Sequence, residues 1–478
     1  MTTVNHGSYV GGIWVRNGET FTNTNPADPE NPLCEIYAAT NSEITNAFLS
    51  ANQASHSWRK TPAPLRSDFL LRIAQKIEDR AERIALDMTL EEGKTLLEAK
   101  QETMNAAAQF RYAAAIALQP DGATVQARDP KTALLFSRCE PLGVVVCITP
   151  WNFPISIPAW KISHALAFGN TVVWKPAELT PLTSIHLAEA IEESELPQGV
   201  MNMILGFGSK IGDHLLSHSQ ISGVSFTGSN EVGRSIGLAM AQNGIPTQLE
   251  LGGSNPAIVL KDADLSVAAE EIAKGAYLSS GQKCTATTRV IVDDSIHDEL
   301  LERLTSLATS WKVGNPLLTD TMIGPLASRS QFDRLVTRLR SLESNRVTGS
   351  SELEPDHNGY FLHPYIFTKI LEDHEIFRKE IFGPVICIIQ GKNYEDCLRI
   401  ANDTEFGLSA SLFTTDLNQA MHFAAESEAG VVKINKSTTG NEIHVPFGGH
   451  KQSGSGSSEM GWAAKEFFTR WKTVYVGK

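Results

Sequence analysis

Three short segments of this 478-residue chain carry residues suited to covalent chemistry. In Ser279–Val292, SSGQKCTATTRVIV, Cys284 stands between Gly281 and a β-prone run, flanked by Gln282, Lys283 and Thr285. A thiol among polar, electropositive neighbours has the surroundings of a nucleophile, because the thiolate is the reacting species. A buried structural cysteine is the equal alternative on this segment alone. No Cys–His pairing is visible nearby, so a thiol hydrolase has no specific support. In Gln248–Pro256, QLELGGSNP, Glu250 ends an apolar stretch just before Gly252 and Gly253, which let backbone approach another group closely. Apolar surroundings raise a carboxyl pKa, which suits a general base near neutrality. A surface Glu at a strand end is the plainer reading. In Ile148–Lys161, ITPWNFPISIPAWK, Asn152 can donate an amide N–H to an oxyanion, or simply shape a turn.

A dinucleotide signal is present in an unusual form. There is no GxGxxG; instead Phe226-Thr227-Gly228-Ser229-Asn230-Glu231-Val232-Gly233 runs from strand to helix. Ser229 can cap that helix, and the free N–H groups at its start can hold a pyrophosphate. Lys175 and Glu178, in Lys-Pro-Ala-Glu at another strand end, add a cation for phosphate or ribose and a carboxylate for ribose hydroxyls. Such a carboxylate favours NAD over NADP by repelling a 2′-phosphate. The six cysteines form no CxxC pair and no zinc spacing, so no metal-ligand cluster is visible.

These residues need a frame to hold them. Leu65, Phe69, Ile73, Ile77, Ile84 and Met88 fall on one helical face between Pro64 and Gly93, and Thr95 with Glu98 forms a capping box that opens a further helix. From Pro141 the texture becomes strand–helix alternation. Strands are predicted over Gly143–Thr149, Thr171–Lys175, Met201–Leu205 and Val224–Phe226, with helices over Lys161–Phe168 and Leu182–Ser194 between them. After residue 251 the alternation resumes with Asn255–Leu260 and Thr288–Val292 as strands, Asp264–Leu278 and His297–Thr309 as helices. Such order argues for parallel βαβ units with a ligand at the carboxyl ends of the strands. Thr124–Val144 reads as a hairpin-like excursion and Phe467–Val476 as an edge strand; two such exposed strands point to subunit pairing.

Composition sets the outer bounds. The chain is 42% hydrophobic and 20% charged, with 41 basic against 54 acidic residues and a net charge of −13. That balance excludes a general nucleic-acid binder. The longest uncharged apolar run, Pro141–Trp160, contains Pro141, Pro150, Pro154 and Pro158, so it is no membrane helix. No secretory signal is visible in MTTVNHGSYVGG, and the expected location is the cytoplasm.

Seven motifs stand in chain order: Trp-Asn-Phe-Pro, Lys-Pro-Ala-Glu-Leu-Thr-Pro, Phe-Thr-Gly-Ser, Glu-Leu-Gly-Gly, Gly-Gln-Lys-Cys, Glu-Ile-Phe-Gly-Pro and Pro-Phe-Gly-Gly. This series resembles the aldehyde dehydrogenase superfamily from near Gly12 to the C-terminus. The resemblance implies an α/β fold. A Rossmann-like cofactor domain would span residues 1–122 and 145–250, an α/β catalytic domain 251–450, and a small β oligomerisation flap 123–144 and 451–478. It implies Cys284 as nucleophile, Glu250 as the base that activates the deacylating water, and Asn152 with the Cys284 backbone N–H as oxyanion hole. Thr149, Pro150, Trp151, Lys161, Lys175, Glu178, Gly208, Phe226, Gly228, Ser229 and Leu251 would lie along the cofactor. Glu380 and Phe382 would hold the nicotinamide ribose and ring. The implied cofactor is NAD, with NADP possible, and the implied assembly a homodimer or homotetramer. No metal is required.

The chemistry closes on these groups. Thiolate attack on an aldehyde gives a thiohemiacetal, hydride passes to the nicotinamide, and Glu250 drives hydrolysis of the thioester. Relatives that transfer the acyl group to coenzyme A generally lack the carboxylate of Glu250, so a free acid product is expected. A catalytically silent relative would have no chemical need for Cys284, Glu250 and Asn152 together. Gly-Gln-Lys-Cys-Thr-Ala-Thr, Val432–Gly440 and His444–Phe447 are similar to the 2-oxoglutarate semialdehyde (2,5-dioxopentanoate) dehydrogenase branch. The loop Lys436–His444 is polar, which suits a small polar or acidic aldehyde. Arg111 and Lys436 are the expected partners of a substrate carboxylate, although Arg111 as a solvated helix arginine is an equal reading. His444 belongs to the same pocket-forming loop, and Phe153 and Trp160 would form an aromatic wall. Succinate semialdehyde dehydrogenases often carry an Arg near the Trp160 position, and its absence disfavours that substrate.

Overall fold

The computed structural model describes residues 6–340, 342–350 and 358–478. Its first sheet has five parallel strands at its centre. In spatial order they are Met201–Met203, Thr171–Lys175, Val144–Ile148, Ile221–Thr227 and Thr247–Glu250. Numbered along the chain this order is third, second, first, fourth, fifth. The direction of winding therefore reverses between Val144–Ile148 and Ile221–Thr227, and a cleft opens there at the carboxyl ends. The central strand Val144–Ile148 is apolar throughout because both faces are covered. Alternate side chains feed two cores: Val145, Cys147, Val172 and Trp174 enter one, and Val144, Val146, Val173 and Val224 the other.

The second sheet places six parallel strands in the order Tyr365–Phe367, Val385–Gly391, Thr287–Asp293, Asn255–Val259, Ser409–Phe413 and Val431–Ile434. Arg346–Thr348 adds an antiparallel edge. The same alternation fills two further cores, with Ile258 and Ile291 on one face and Ala257, Val259, Val290 and Val292 on the other. Gly122–Val125, Thr132–Pro141 and Thr469–Gly477 form a separate antiparallel three-stranded sheet, so the hairpin and the tail do meet.

The predicted helical face is divided between two helices, Ala63–Asp79 and Ala81–Glu92, because Arg80 leaves helical geometry at φ −105°, ψ 4°. Ile73, Ile77, Ile84 and Met88 are fully buried, whereas Leu65, in the first turn, remains 51% exposed. Helix Leu96–Ile116 opens on the expected box: Glu98 N–H donates to Thr95 Oγ1, and Glu98 accepts from the Thr95 backbone N–H. Two features differ from the sequence reading. Ser8–Val10 and Ile13–Val15 extend the first sheet as antiparallel strands. Gly454–Ser455 pairs with Leu249 and Glu250, so the tail from 451 serves that sheet before it reaches the flap. Pro141–Trp160 supplies a strand and part of helix Ser156–Ala167; no helix among the described residues is long and apolar enough to cross a membrane.

Candidate active site

Cys284 lies between the two sheets on a loop pinned at nearly every residue. The chain enters it through Ser279, Ser280 and Gly281, all left-handed, with φ of 54°, 54° and 66°. Such backbone is costly for serine and persists only where the surroundings impose it. Here Glu98 accepts from the Ser279 N–H and hydroxyl, at 2.7 and 2.9 Å, while the Ser280 hydroxyl donates to Gly324 O. At Gly281 a side chain is excluded, since a Cβ would lie 2.1 Å from Gly383 O. Beyond the turn, Asn152 Nδ2 donates to Gln282 O at 2.9 Å and Asn255 Nδ2 to Cys284 O at 2.9 Å. The sulfur is therefore presented by a loop that cannot relax.

Two cavities meet at that sulfur. One, about 290 Å³, is lined by Cys284, Glu250, Lys283, Phe153 and Trp160, and by Gln101, Asn105 and Gln109 of helix Leu96–Ile116. Their spacing of four residues aligns those three amides along one helical face. The other, about 180 Å³, is lined by Pro150, Trp151, Asn152, Gly228, Ser229, Leu251, Gly252, Glu380 and Phe382 as well as Cys284. It opens at the winding reversal of the first sheet. Its residues fit a nicotinamide dinucleotide. Ser229 caps helix Asn230–Ala241, so N–H groups of the first turn can meet phosphate. Trp151 and Phe382 stand edge to face at 5.5 Å, and Phe382 holds a left-handed φ of 58°. Glu380, half-buried, accepts the Gly253 N–H on one oxygen at 3.1 Å, and its second oxygen could meet a ribose hydroxyl. Lys175 pairs with Glu178 at 2.9 Å, and Gly208 begins a helix beside the Lys175 ammonium.

Burial governs the electrostatics. The Cys284 thiol is pushed up to about 12 by burial and by the nearby carboxylates of Glu380 and Glu250. Glu250 is held well above the ordinary carboxylate range by burial and by Glu459, with Lys161 opposing. Its Oε2 is buried and makes no hydrogen bond among the described residues. Burial also brings Lys283 down to about 8.

The structure gives several expected positions partners within the protein. Lys161 does not reach the cofactor cleft: it is fully buried, donating to Ser225 Oγ at 2.8 Å and paired with Glu459 behind Glu250. Thr149 joins two strand ends, accepting from Trp174 Nε1 at 2.9 Å, and Phe226 packs beneath Gly228. Arg111 faces away and binds Glu78. Lys436 and His444 are exposed, and neither lines the cavity; Ile443 and Asn441 of the same loop do. Sequence reasoning missed Glu459 and Lys94. Lys94 donates to Asn152 O at 2.7 Å and to Glu102, which fixes the loop bearing Asn152. Its Gly-Lys-Thr setting before a capped helix gave no sign of that reach.

A thiol and a buried carboxylate on one cavity, joined at the sulfur to a dinucleotide cleft, define an oxidoreductase. The chain belongs to the aldehyde dehydrogenase family, whose sequence pattern matches residues 14–474. It is 42% identical over 476 residues to the alpha-ketoglutaric semialdehyde dehydrogenase of Bacillus subtilis, covering 98% of this chain and 97% of that one. It is 39% identical to the 2,5-dioxopentanoate dehydrogenase of Saccharolobus solfataricus, covering 97% and 98%. The NAD+ complex of an aldehyde dehydrogenase from Bacillus cereus superposes with a TM-score of 0.95 at 32% identity, covering 99% and 97%. The betaine aldehyde dehydrogenase of Staphylococcus aureus with NAD+ gives 0.95 at 32%, covering 98% and 94%. The fold is thus the α/β aldehyde dehydrogenase fold with a Rossmann-like cofactor part, and the enzyme oxidises an aldehyde with a nicotinamide cofactor.

Proposed function

We propose that the enzyme oxidises a small acidic semialdehyde, of the 2-oxoglutarate semialdehyde type, to the free carboxylic acid with NAD+. The carrying observation is that Cys284 lines both cavities while Glu250 lines only the one open to the aldehyde. Cys284 adds to the carbonyl carbon, and Asn152 with the Cys284 N–H receives the developing oxyanion. When bound, NAD+ supplies the hydride acceptor. Glu250 then takes a proton from the water that attacks the thioester. Glu178, half-exposed beside Lys175, supports NAD over NADP. The amides of Gln101, Asn105 and Gln109 support a polar substrate, as do the two semialdehyde dehydrogenases at 42% and 39% identity. The enzyme works without coenzyme A, as a homo-oligomer in the cytoplasm.

The test is kcat/KM over an aldehyde panel with each nicotinamide, with and without coenzyme A. Semialdehydes of dicarboxylic and 2-oxo acids should lead with NAD+ and no coenzyme A. A lead for long aliphatic aldehydes would refute the substrate class, and an absolute need for coenzyme A would refute hydrolysis.

A further inference from the structure

Three carboxylates line the aldehyde cavity, and two of them, Glu98 and Glu102, are already committed to other groups. Glu98 accepts from Ser279 N–H and Oγ–H on one oxygen and from Thr95 N–H and Oγ1–H on the other. Glu102 accepts from the Ile155 and Ser156 N–H groups, at 3.1 Å each, and from Lys94. Glu250 is the base proposed for the hydrolytic step. Lys283 is the one cation lining this cavity among the described residues; it makes no hydrogen bond or ion pair among them, and the carboxylate that acts on it most is Glu98, itself held by Ser279 and Thr95. An enclosed cation without a partner is expensive, and the cost is recovered when an anion arrives.

Two further groups in the same wall lack partners. Trp160 Nε1 is a buried donor and Gln109 Oε1 a buried acceptor, and neither makes a hydrogen bond. Native interiors rarely leave such atoms orphaned unless a ligand or water completes them. A neutral alkyl aldehyde would leave Lys283 without a counter-charge.

We propose that Lys283 is the specificity residue that binds the remote carboxylate of a short, bifunctional aldehyde. The proposal rests on the reading of the enzyme as an acidic-semialdehyde dehydrogenase and names how that site recognises its substrate. Holding the two ends at adjacent residues, 283 and 284, fixes the carbonyl over the sulfur.

The experiment compares the wild-type enzyme with Lys283→Met, Lys283→Gln and Lys283→Arg in the presence of NAD+. The readout is the ratio of kcat/KM for 2-oxoglutarate semialdehyde over that for neutral pentanal, which divides out any general effect on the thiol. Loss of a charge-assisted contact should lower this ratio by about 10- to 100-fold in the Met and Gln variants, and Arg should restore part of it. Glutarate, tested as an inhibitor competitive with pentanal, should lose affinity in parallel. An unchanged ratio, or equal glutarate inhibition of wild type and Lys283→Met, overturns the proposal. If wild type fails to favour acidic aldehydes yet Lys283→Met alone escapes glutarate, the anion site stands and the substrate reading falls. NAD+ binding by fluorescence quenching identifies a variant that has not folded, and the remaining variants then decide.

Discussion

Glu250 must take a proton from water inside a wall of buried side chains, and its neighbours decide when it can. Burial and the Glu459 carboxylate favour its neutral form, while Lys161 and the Gly449 N–H favour the ion. The sign follows. Below its raised pKa the group is protonated and cannot act as a base, so turnover falls as pH falls through that midpoint, which lies above the usual carboxylate range. Replacing Glu250 with Gln keeps the shape and removes the base. Rapid mixing should then still show a burst of NADH, about one per active site, followed by steady turnover reduced by roughly 10²- to 10⁴-fold, without the pH midpoint. Unaltered steady turnover in this variant would show that some other group activates the water. The cation tells the opposite story about legibility. A lone Arg111 or Lys436 gave no sequence sign of what it would face. In the fold Arg111 is taken by Glu78, while Lys283, passed over as a mere neighbour of the thiol, is left open to the cavity.

Helix Leu96–Ile116 does more for the site than its sequence announces. Its capping box was readable because both partners lie within one turn. What could not be read is that Glu98 and Glu102 also reach to residues 279 and 155, since periodicity reports which face is apolar and not which distant N–H groups need an acceptor. The parallel strands were legible for the complementary reason: Val144–Ile148 and Thr171–Lys175 are buried on both faces and read as unbroken apolar runs. Ser8–Val10 and Gly454–Ser455, two or three residues long, carry no such pattern and join the sheet only because its edges are free. Glu102 offers the sharpest test at this scale. Changing it to Ala removes the nearer carboxylate from buried Lys94, which keeps Asn152 O at 2.7 Å and Glu92 at 3.9 Å, and takes away the acceptor of the Ile155 and Ser156 N–H groups at the start of helix Ser156–Ala167. A broken buried pair of this kind costs about 3–5 kcal/mol. The urea midpoint of Glu102→Ala should drop accordingly, whereas a midpoint within error of wild type would mean that water enters and replaces the carboxylate.

At the scale of the whole molecule, the three-stranded sheet built from 122–125, 132–141 and 469–477 has no core of its own to cover. The register sets Tyr475 opposite Leu135 and Leu135 opposite Val125, and Trp471 follows two pleats along the same face. Trp471, Tyr475 and Val125 are 67%, 69% and 54% exposed, an apolar and aromatic surface of the composition found where subunits meet. Small antiparallel sheets are marginal in isolation, so a second copy seated on this face would stabilise the sheet and its own fold together. Light scattering at micromolar concentration should give a multiple of the monomer mass for the wild-type enzyme. The double change Trp471→Asp, Tyr475→Asp sets like charges across any symmetric contact on this face and should shift the mass toward the monomer. Retention of the wild-type mass by the double variant would place the subunit contact elsewhere. The catalytic loop lies in the body of the protein, with Glu98 and Asn255 holding it from within the same chain. Dissociation should therefore lower the unfolding temperature more than it lowers kcat, and the two measurements on one preparation separate an interface that supports the fold from one that completes the site.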